Sequence, residues 1–352
     1  MAATIKDVAR EVGVSVATVL RVFNDKGPVR AATRERVLAA ASTLRYVPHG
    51  GARSLITNQT HTVGVVLPDL HGEFFSELIR GLDLAARRGG YHLLVSGSHS
   101  DRDELGAVLR ALRGRVDGLV LMSPDLDAAA LEANLPDDLP VVLLNCRVHG
   151  HGLDTLAVDN VGGAAAMVWH LAGLGHRRIA FVRGAAGNND AEERLRGYRR
   201  ALAELGLPAA GELEIAGDFS EESGYRAGQR ILALDPRPDA VFAANDSMAI
   251  GVLAALREAG AEVPGDVALA GFDDIPIAPF LSPPLTSVRV EIADLGARAL
   301  ERLLAIVRRE GPAPGRTELV PTRVMARASC GARAREAKSS APRAEIPSAS
   351  RS

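Results

Sequence analysis

From residue 62 onward the chain alternates short apolar runs with longer amphipathic stretches, and this alternation restricts the fold more than any other feature. The runs at 62–67, 91–95, 118–122 and 141–145 are rich in Val and Leu and read as buried strands. Helical spacing near 73–89, 102–113 and 127–134 separates them. A second series has runs at 156–158, 179–182, 240–244 and 267–270, with helices near 161–175, 190–206, 221–234 and 246–260. Strand-helix alternation implies parallel sheets with helices on both faces, and two such series imply two Rossmann-like lobes. A strand at 285–290, a helix at 292–309 and a strand at 318–325 come too late for simple succession. They are expected to cross back, making each lobe discontinuous.

The first sixty residues follow another pattern. Thr4 and Asp7 stand where a capping box starts a helix, whose apolar stripe is Val8, Ala9 and Val12 before Gly13 breaks it. Ser15 is placed to cap a second helix, in which Val19, Val22 and Phe23 pack inward while Val16, Ala17 and Arg21 point out. A third helix at about 31–44 is expected to bury Val37, Leu38, Ala41 and Leu44. Two short helices joined at a glycine, with a third behind, make a helix-turn-helix pattern. Its second helix is free to enter a major groove, where Arg21 can read guanine and Val16 and Ala17 a thymine methyl. A three-helix bundle that binds nothing has the same pattern.

Charge helps to choose. The chain as a whole is nearly neutral, at -2. Residues 1–60, however, hold nine Lys/Arg against four Asp/Glu, and residues 326–352 hold six against two. Those segments are +5 and +4, which leaves -11 for residues 61–325. A basic head on an acidic body directs any polyanion to the head, although five excess charges on a solvated surface would look the same. With two cysteines, 47% apolar and 24% charged residues, the chain has the composition of a soluble globular protein without a disulfide scaffold, as in a reducing cytoplasm. No apolar run is long enough to cross a bilayer, and the charged N-terminus argues against export.

Enzyme signatures are missing. No G-x-G-x-x-G follows the first strand, and there is no P-loop, no G-x-S-x-G elbow and no H-E-x-x-H pair. Neither catalytic residues nor a cofactor are expected. Cys146, His149 and His151 fit no metal-site spacing, so no metal is expected either. Ligands of open α/β sheets bind at the carboxyl ends of strands, which selects Asp69, Asn145, Asp159, Asn245, Asp246 and Asp273. Each of these can equally be a helix cap or a turn residue.

TIKDVAREVGVSVATVLRVFN, followed by TRERVLAAASTLRYVP and ARSL, resembles the DNA-binding headpiece of the LacI family of bacterial transcription regulators. The resemblance implies base contacts from Val16, Ala17 and Arg21. It implies phosphate or flanking contacts from Thr4, Ser15, Thr18, Asn24 and Tyr46, which fix register without reading sequence. It also implies a hinge helix that forms on DNA, with Leu55 wedged into the minor groove and Ala52 and Arg53 beside it. Leu20 and Arg30 stand where the family usually has serines. His49-Gly50-Gly51 replaces the usual start of the hinge helix, so this hinge is expected to order less readily.

VGVVLPDL, VDGLVLMSP, VDNVGGAAAMVWHLAGLGHRRIAFVRG, DAVFAANDSMAIGVLAAL, DVALAGFDD and LTSVRV are similar to the family's effector domain, itself similar to periplasmic sugar-binding proteins. By that resemblance Arg194, Asn245 and Asp273 make polar contacts to a small-molecule effector, and Asn145 joins them. Phe74 and Phe219 supply apolar walls, and Asn188 and Asp190 match variable pocket positions. Gly72-Glu73 replaces the usual Asn-Pro, and Val290 a frequent polar residue. The arginine, amides and carboxylates suit the hydroxyls of a sugar or sugar derivative.

The expected layout is a helix-turn-helix headpiece at 1–47, a hinge at 48–60 and an effector-binding and dimerisation domain at 61–327. Its N-lobe comprises about 61–158 and 289–317, its C-lobe 159–288 and 318–327, with a disordered tail at 328–352. The resemblance implies a cytoplasmic homodimeric repressor, bound to a pseudo-palindromic double-stranded operator and controlled by effector between the lobes. Two alternatives stay open: a global catabolite regulator with a phosphoprotein corepressor, and a binding protein without DNA function.

Overall fold

The computed structural model describes residues 3–24, 27–46, 59–124, 134–135, 139–146, 152–310 and 315–331. The hinge residues Ala52, Arg53 and Leu55, all but the last residue of the helix expected near 127–134, His149, His151 and the tail from residue 332 lie outside the described residues.

Three helices open the chain: α1 Ile5–Val12, α2 Val16–Asn24 and α3 Ala31–Thr43. The Asp7 carboxylate accepts from the Thr4 backbone N–H (2.9 Å) and hydroxyl (2.7 Å), fixing the start of α1. Gly13 ends α1 at φ +70, a left-handed conformation that a β-carbon would strain. Arg36 Nη2 donates to the Val12 carbonyl at 2.6 Å, so α3 satisfies the end of α1. The core between them is Val8, Ala9, Val12, Val19, Val22, Val37, Ala40 and Ala41. Two expectations need correcting here. Leu38 is 46% exposed, because Ala40 and not Leu38 completes the inward face of α3. Val16 is half-buried and packs against the core.

The rest forms two sheets of six strands. In chain order come β1 Thr62–Leu67, α4 Glu73–Gly89, β2 His92–Gly97, α5 Arg102–Leu112, β3 Gly118–Met122, β4 Val141–Leu144 and β5 Asp154–Val158. Next are α6 Asn160–Gly173, β6 Ile179–Val182, α7 Asn189–Leu205, β7 Glu214–Ile215, α8 Glu221–Leu232, β8 Ala240–Ala243 and α9 Asp246–Glu258. The last are β9 Ala268–Asp273, β10 Thr286–Arg289, α10 Ile292–Val307, β11 Thr317–Val320 and β12 Arg323–Met325. The N-terminal sheet has the order β11-β5-β4-β3-β1-β2 and is parallel throughout. The C-terminal sheet has the order β12-β10-β9-β8-β6-β7 and is parallel except where β12 meets β10. The inner strands are apolar and buried along their length, as strands covered on both faces must be.

Helix pairs close against each other through glycines. A β-carbon on Gly81 of α4 would collide with the Ala293 backbone of α10, and one on Gly224 of α8 with Met248 of α9. Among the described residues the chain crosses between the lobes at three places: after β5, after β10 and between β11 and β12. The last crossing differs from the expected one. The single strand expected at 318–325 is two strands in different sheets, broken at Pro321, which has no N–H for a ladder. The C-lobe also continues past 327, where a tail was expected. Ser329 Oγ accepts from Thr286 N (2.7 Å) and donates to the Leu269 carbonyl (2.6 Å), while Cys330 is fully buried. Those bonds hold the Ala328–Cys330 turn against the sheet.

Candidate functional site

On α2, Ala17 and Arg21 are exposed and Val16 borders them. Ser15 Oγ accepts from the Thr18 N–H at 3.2 Å, and its hydroxyl lies 3.0 Å from that of Thr18, so both side chains sit at the first turn beside Ala17. Tyr46 packs edge-on against Phe23, with ring centroids 5.8 Å apart, at the end of the bundle. Thr4 is exposed at the start of α1. Asn24 is the last residue of α2.

Between the lobes lies a cleft of about 670 Å³. The N-lobe gives it Asp69, Phe74, Phe75, His99 and Met122, and the C-lobe Asn188, Asp190, Arg194, Asp218, Phe219, Asn245 and Asp273. Seven of the residues expected at the effector site are therefore gathered on one cavity, as the carboxyl-end rule for α/β sheets requires. Asn145 is not on its wall. It lies behind, where it donates through Nδ2 to Asp190 Oδ2 at 3.0 Å and accepts the Val158 N–H at 3.0 Å. That bond joins the lobes beside the first crossing.

Behind the cleft wall the polar groups form one chain. Asn160 Nδ2 donates to Asp190 Oδ1 at 3.0 Å, and Arg194 Nε donates to Asn160 Oδ1 at 2.9 Å. Arg194 Nη1 donates to the Ala244 carbonyl (2.6 Å), and Nη2 pairs with Asp273 Oδ1 at 3.1 Å. The guanidinium also lies over the Phe272 ring, 3.8 Å from its centroid. Asp273 has φ +104, and among the described residues its Oδ1 finds no aligned hydrogen-bond donor. Burial pushes the carboxyls of Asp190 and Asp273 up to about 6, and the nearby Arg194 restrains both. Deeper still, burial and then the Asp273 charge hold Asp246 well above the carboxylate range; it accepts from Ser287 Oγ at 2.6 Å.

Asn245 and Asn188 also act as helix caps. Asn245 Oδ1 accepts from Met248 N (3.0 Å) while its Nδ2 donates to the Phe219 carbonyl (3.0 Å), holding that residue at φ +74. Asn188 Oδ1 accepts from Ala191 N at 3.1 Å. Cys146 is buried with its thiol pushed up to about 12 by burial, so it offers no thiolate.

Residues 4–49 match the family described as bacterial regulatory proteins, lacI family, and residues 168–330 match the periplasmic binding protein-like domain. Catabolite control protein A of Priestia megaterium is 36% identical over 313 residues, covering 88% of this chain and 94% of that protein. The chain belongs to the LacI family. Among solved structures, the Lac repressor dimer bound to operator and the anti-inducer ONPF has a TM-score of 0.84 at 30% identity, over 94% of this chain and 99% of that one. The CelR transcriptional regulator in complex with cellobiose has a TM-score of 0.70 at 32% identity, over 93% and 99%.

LacI-family membership makes this a helix-turn-helix, DNA-binding transcription regulator built on a periplasmic-binding-protein-like body, and its relatives are regulators rather than enzymes. Asn160, Asp218 and Phe75 belong to the site and were not singled out in the sequence. Asn160 lies two residues past the strand run 156–158, next to the Asp159 that the strand-end rule selected, so a slightly wider rule could have found it.

Proposed function

We propose that the protein is a cytoplasmic repressor whose homodimer sets two headpieces on the half-sites of a pseudo-palindromic operator, under the control of a sugar-like effector in the interlobe cleft. Val16, Ala17 and Arg21 read base edges, and Thr4, Ser15, Thr18, Asn24 and Tyr46 hold or flank phosphates. Ala52, Arg53 and Leu55 are assigned to the hinge by resemblance alone. Phe74, Asn188, Asp190, Arg194, Phe219, Asn245 and Asp273 form the effector wall, with Asn145 bracing it from behind.

The observation that carries this reading is the polar chain behind the cleft. Asn145 and Asp190 bond across the lobes at the base of a cavity to which both lobes contribute. A ligand that touches both walls therefore has a different affinity for each arrangement of the lobes, which is the requirement for coupling to DNA. The test is a thermal-shift screen of sugars, followed by fluorescence anisotropy on an operator selected from random sequence, with and without the hit. A ligand that stabilises the protein and changes operator affinity supports the reading; one that binds without any such change defeats it. The likeness to catabolite control protein A favours a second reading, a regulator with a protein corepressor. Operator binding that strengthens only with a phosphoprotein recovered from lysate would support that one.

A further inference from the structure

The charges around the cleft define a narrower ligand class. Four carboxylates line it: Asp69, Asp190, Asp218 and Asp273. A smaller cavity of about 160 Å³ at its edge adds Glu73 and Glu221. Among the described lining residues the bases are Arg194, His99 and, at that edge, His71.

Both bases on the main cleft already have acidic partners. Arg194 is engaged by Asn160, the Ala244 carbonyl and Asp273, with its face on Phe272. Turning it toward a ligand would strand a buried carboxylate and a buried carbonyl. His99 Nδ1 is 2.9 Å from Glu104 Oε1, so that ring nitrogen is already engaged by a carboxylate.

Helix N-termini, the other anion receptors of α/β folds, are also occupied. Asn188 caps α7, and the Asn189 N–H reaches across to the Pro124 carbonyl at 3.1 Å. Asn245 caps α9. The start of α4 has no side-chain cap but carries the Glu73 carboxylate, whose Oε2 accepts from Ile277 N of the other lobe at 3.0 Å. What remains suits hydroxyls: the Asp69 and Asp218 carboxylates, the Asp273 carboxylate beside its Arg194 partner, and the rings of Phe74, Phe75 and Phe219.

We infer that the cleft selects an uncharged polyhydroxy ligand and rejects its phosphorylated or carboxylated counterpart. A phosphate would bring up to two negative charges among carboxylates, and among the described lining residues of the main cleft no unengaged arginine, lysine or helix end is left to receive it; only the His71 imidazole, at the edge beside Glu73, stands apart from them. The inference rests on the cleft being the effector site and narrows the ligand there.

Isothermal titration of the full chain with matched probes tests it: ribose and ribose 5-phosphate, glucose, glucose 6-phosphate and gluconate, and cellobiose. The expected result is that the neutral member of a binding pair is at least about tenfold tighter, and that the double variant Asp69→Asn/Asp218→Asn narrows the gap. Equal or tighter binding of the charged member overturns the inference, since a cation from outside the described residues must then reach the ligand. So does a gap that the double variant leaves unchanged. Ala186→Trp, which fills the cleft wall, separates this failure from failure of the site itself. Binding that survives Ala186→Trp places the ligand elsewhere and removes the effector-site reading; a charged ligand lost in that variant overturns only the charge selection. No heat with any of the six probes overturns both.

Discussion

The headpiece and the body are held together by cores of different quality. Among the described residues of the headpiece no buried core side chain is larger than valine. In the body Phe181 stacks on Tyr198 with centroids 4.9 Å apart and meets Phe242 edge-on at 5.2 Å, amid many buried leucines. A unit as small as the headpiece draws no more than about 3–5 kcal/mol from such a core. Its stability also leans on polar devices, such as the Thr4–Asp7 cap and the Arg36 bond to Val12. The body can therefore hold a costly buried charge network, and the headpiece cannot. The part that reads DNA is the part most easily melted, and the part that senses the ligand is robust enough to carry strain.

The sharpest way to break this contrast is Arg194→Met. Removing the guanidinium leaves Asp273 and Asn160 without their donor inside the body, at a cost of about 3–5 kcal/mol. Calorimetry should show the body's transition falling while the headpiece's stays, and an unchanged body transition would mean that the network carries no load. Next in size, Val37→Ala removes two methyl groups from the headpiece core for about 2–3 kcal/mol. Operator binding should be lost near 37 °C while ligand binding persists. Loss of both functions together would show that the two units do not melt separately.

Arg21→Ala acts without touching either core. It should weaken operator binding by about 1–3 kcal/mol and relax base choice at one position, as a randomised-operator selection would reveal. The smallest effect is the response to acid. Asp273 ionises at about 6, so its carboxylate is lost as an acceptor when pH falls through that value. Ligand affinity should drop several-fold between about pH 7.5 and about pH 5. The headpiece behaves oppositely: the Thr4 hydroxyl holds Asp7 below the ordinary carboxylate range, so its cap stays charged over the same interval. Titrations with ligand and with operator at both pH values would show whether only the first responds.

Much of this organisation was legible because its causes are local. The strands at Gly118–Met122 and Ile179–Val182 are unbroken apolar runs, and both buried and parallel strands demand that composition. The start of α1 was legible because a cap and its partner lie within one turn. Pairings set at long range could not be read in the same way. β7 is a two-residue edge strand whose existence depends on β6 beside it. Thr317–Val320 and Arg323–Met325 look continuous until the two sheets compete for them. In the site, the strand-end rule pointed to Asn145, Asn245 and Asp273 but gave no sign that Asn145 would serve from behind the wall. That role follows from Asp190, which lies forty-five residues further along the chain.

The three crossings between the lobes also bear on how the protein is made. The edge strand β11 and the covering helix α10 belong to the N-terminal sheet, yet they lie some 130 residues or more beyond β5. Neither lobe can close until almost the whole chain has left the ribosome. At bacterial elongation rates that leaves roughly 13–50 s between the emergence of the headpiece and completion of the first lobe. Through that interval a nascent chain exposes its helix-turn-helix with no finished sensor behind it. The modest core of the headpiece then has a use: a reader that holds its shape only weakly is a poor competitor for operator until the completed body stands behind it.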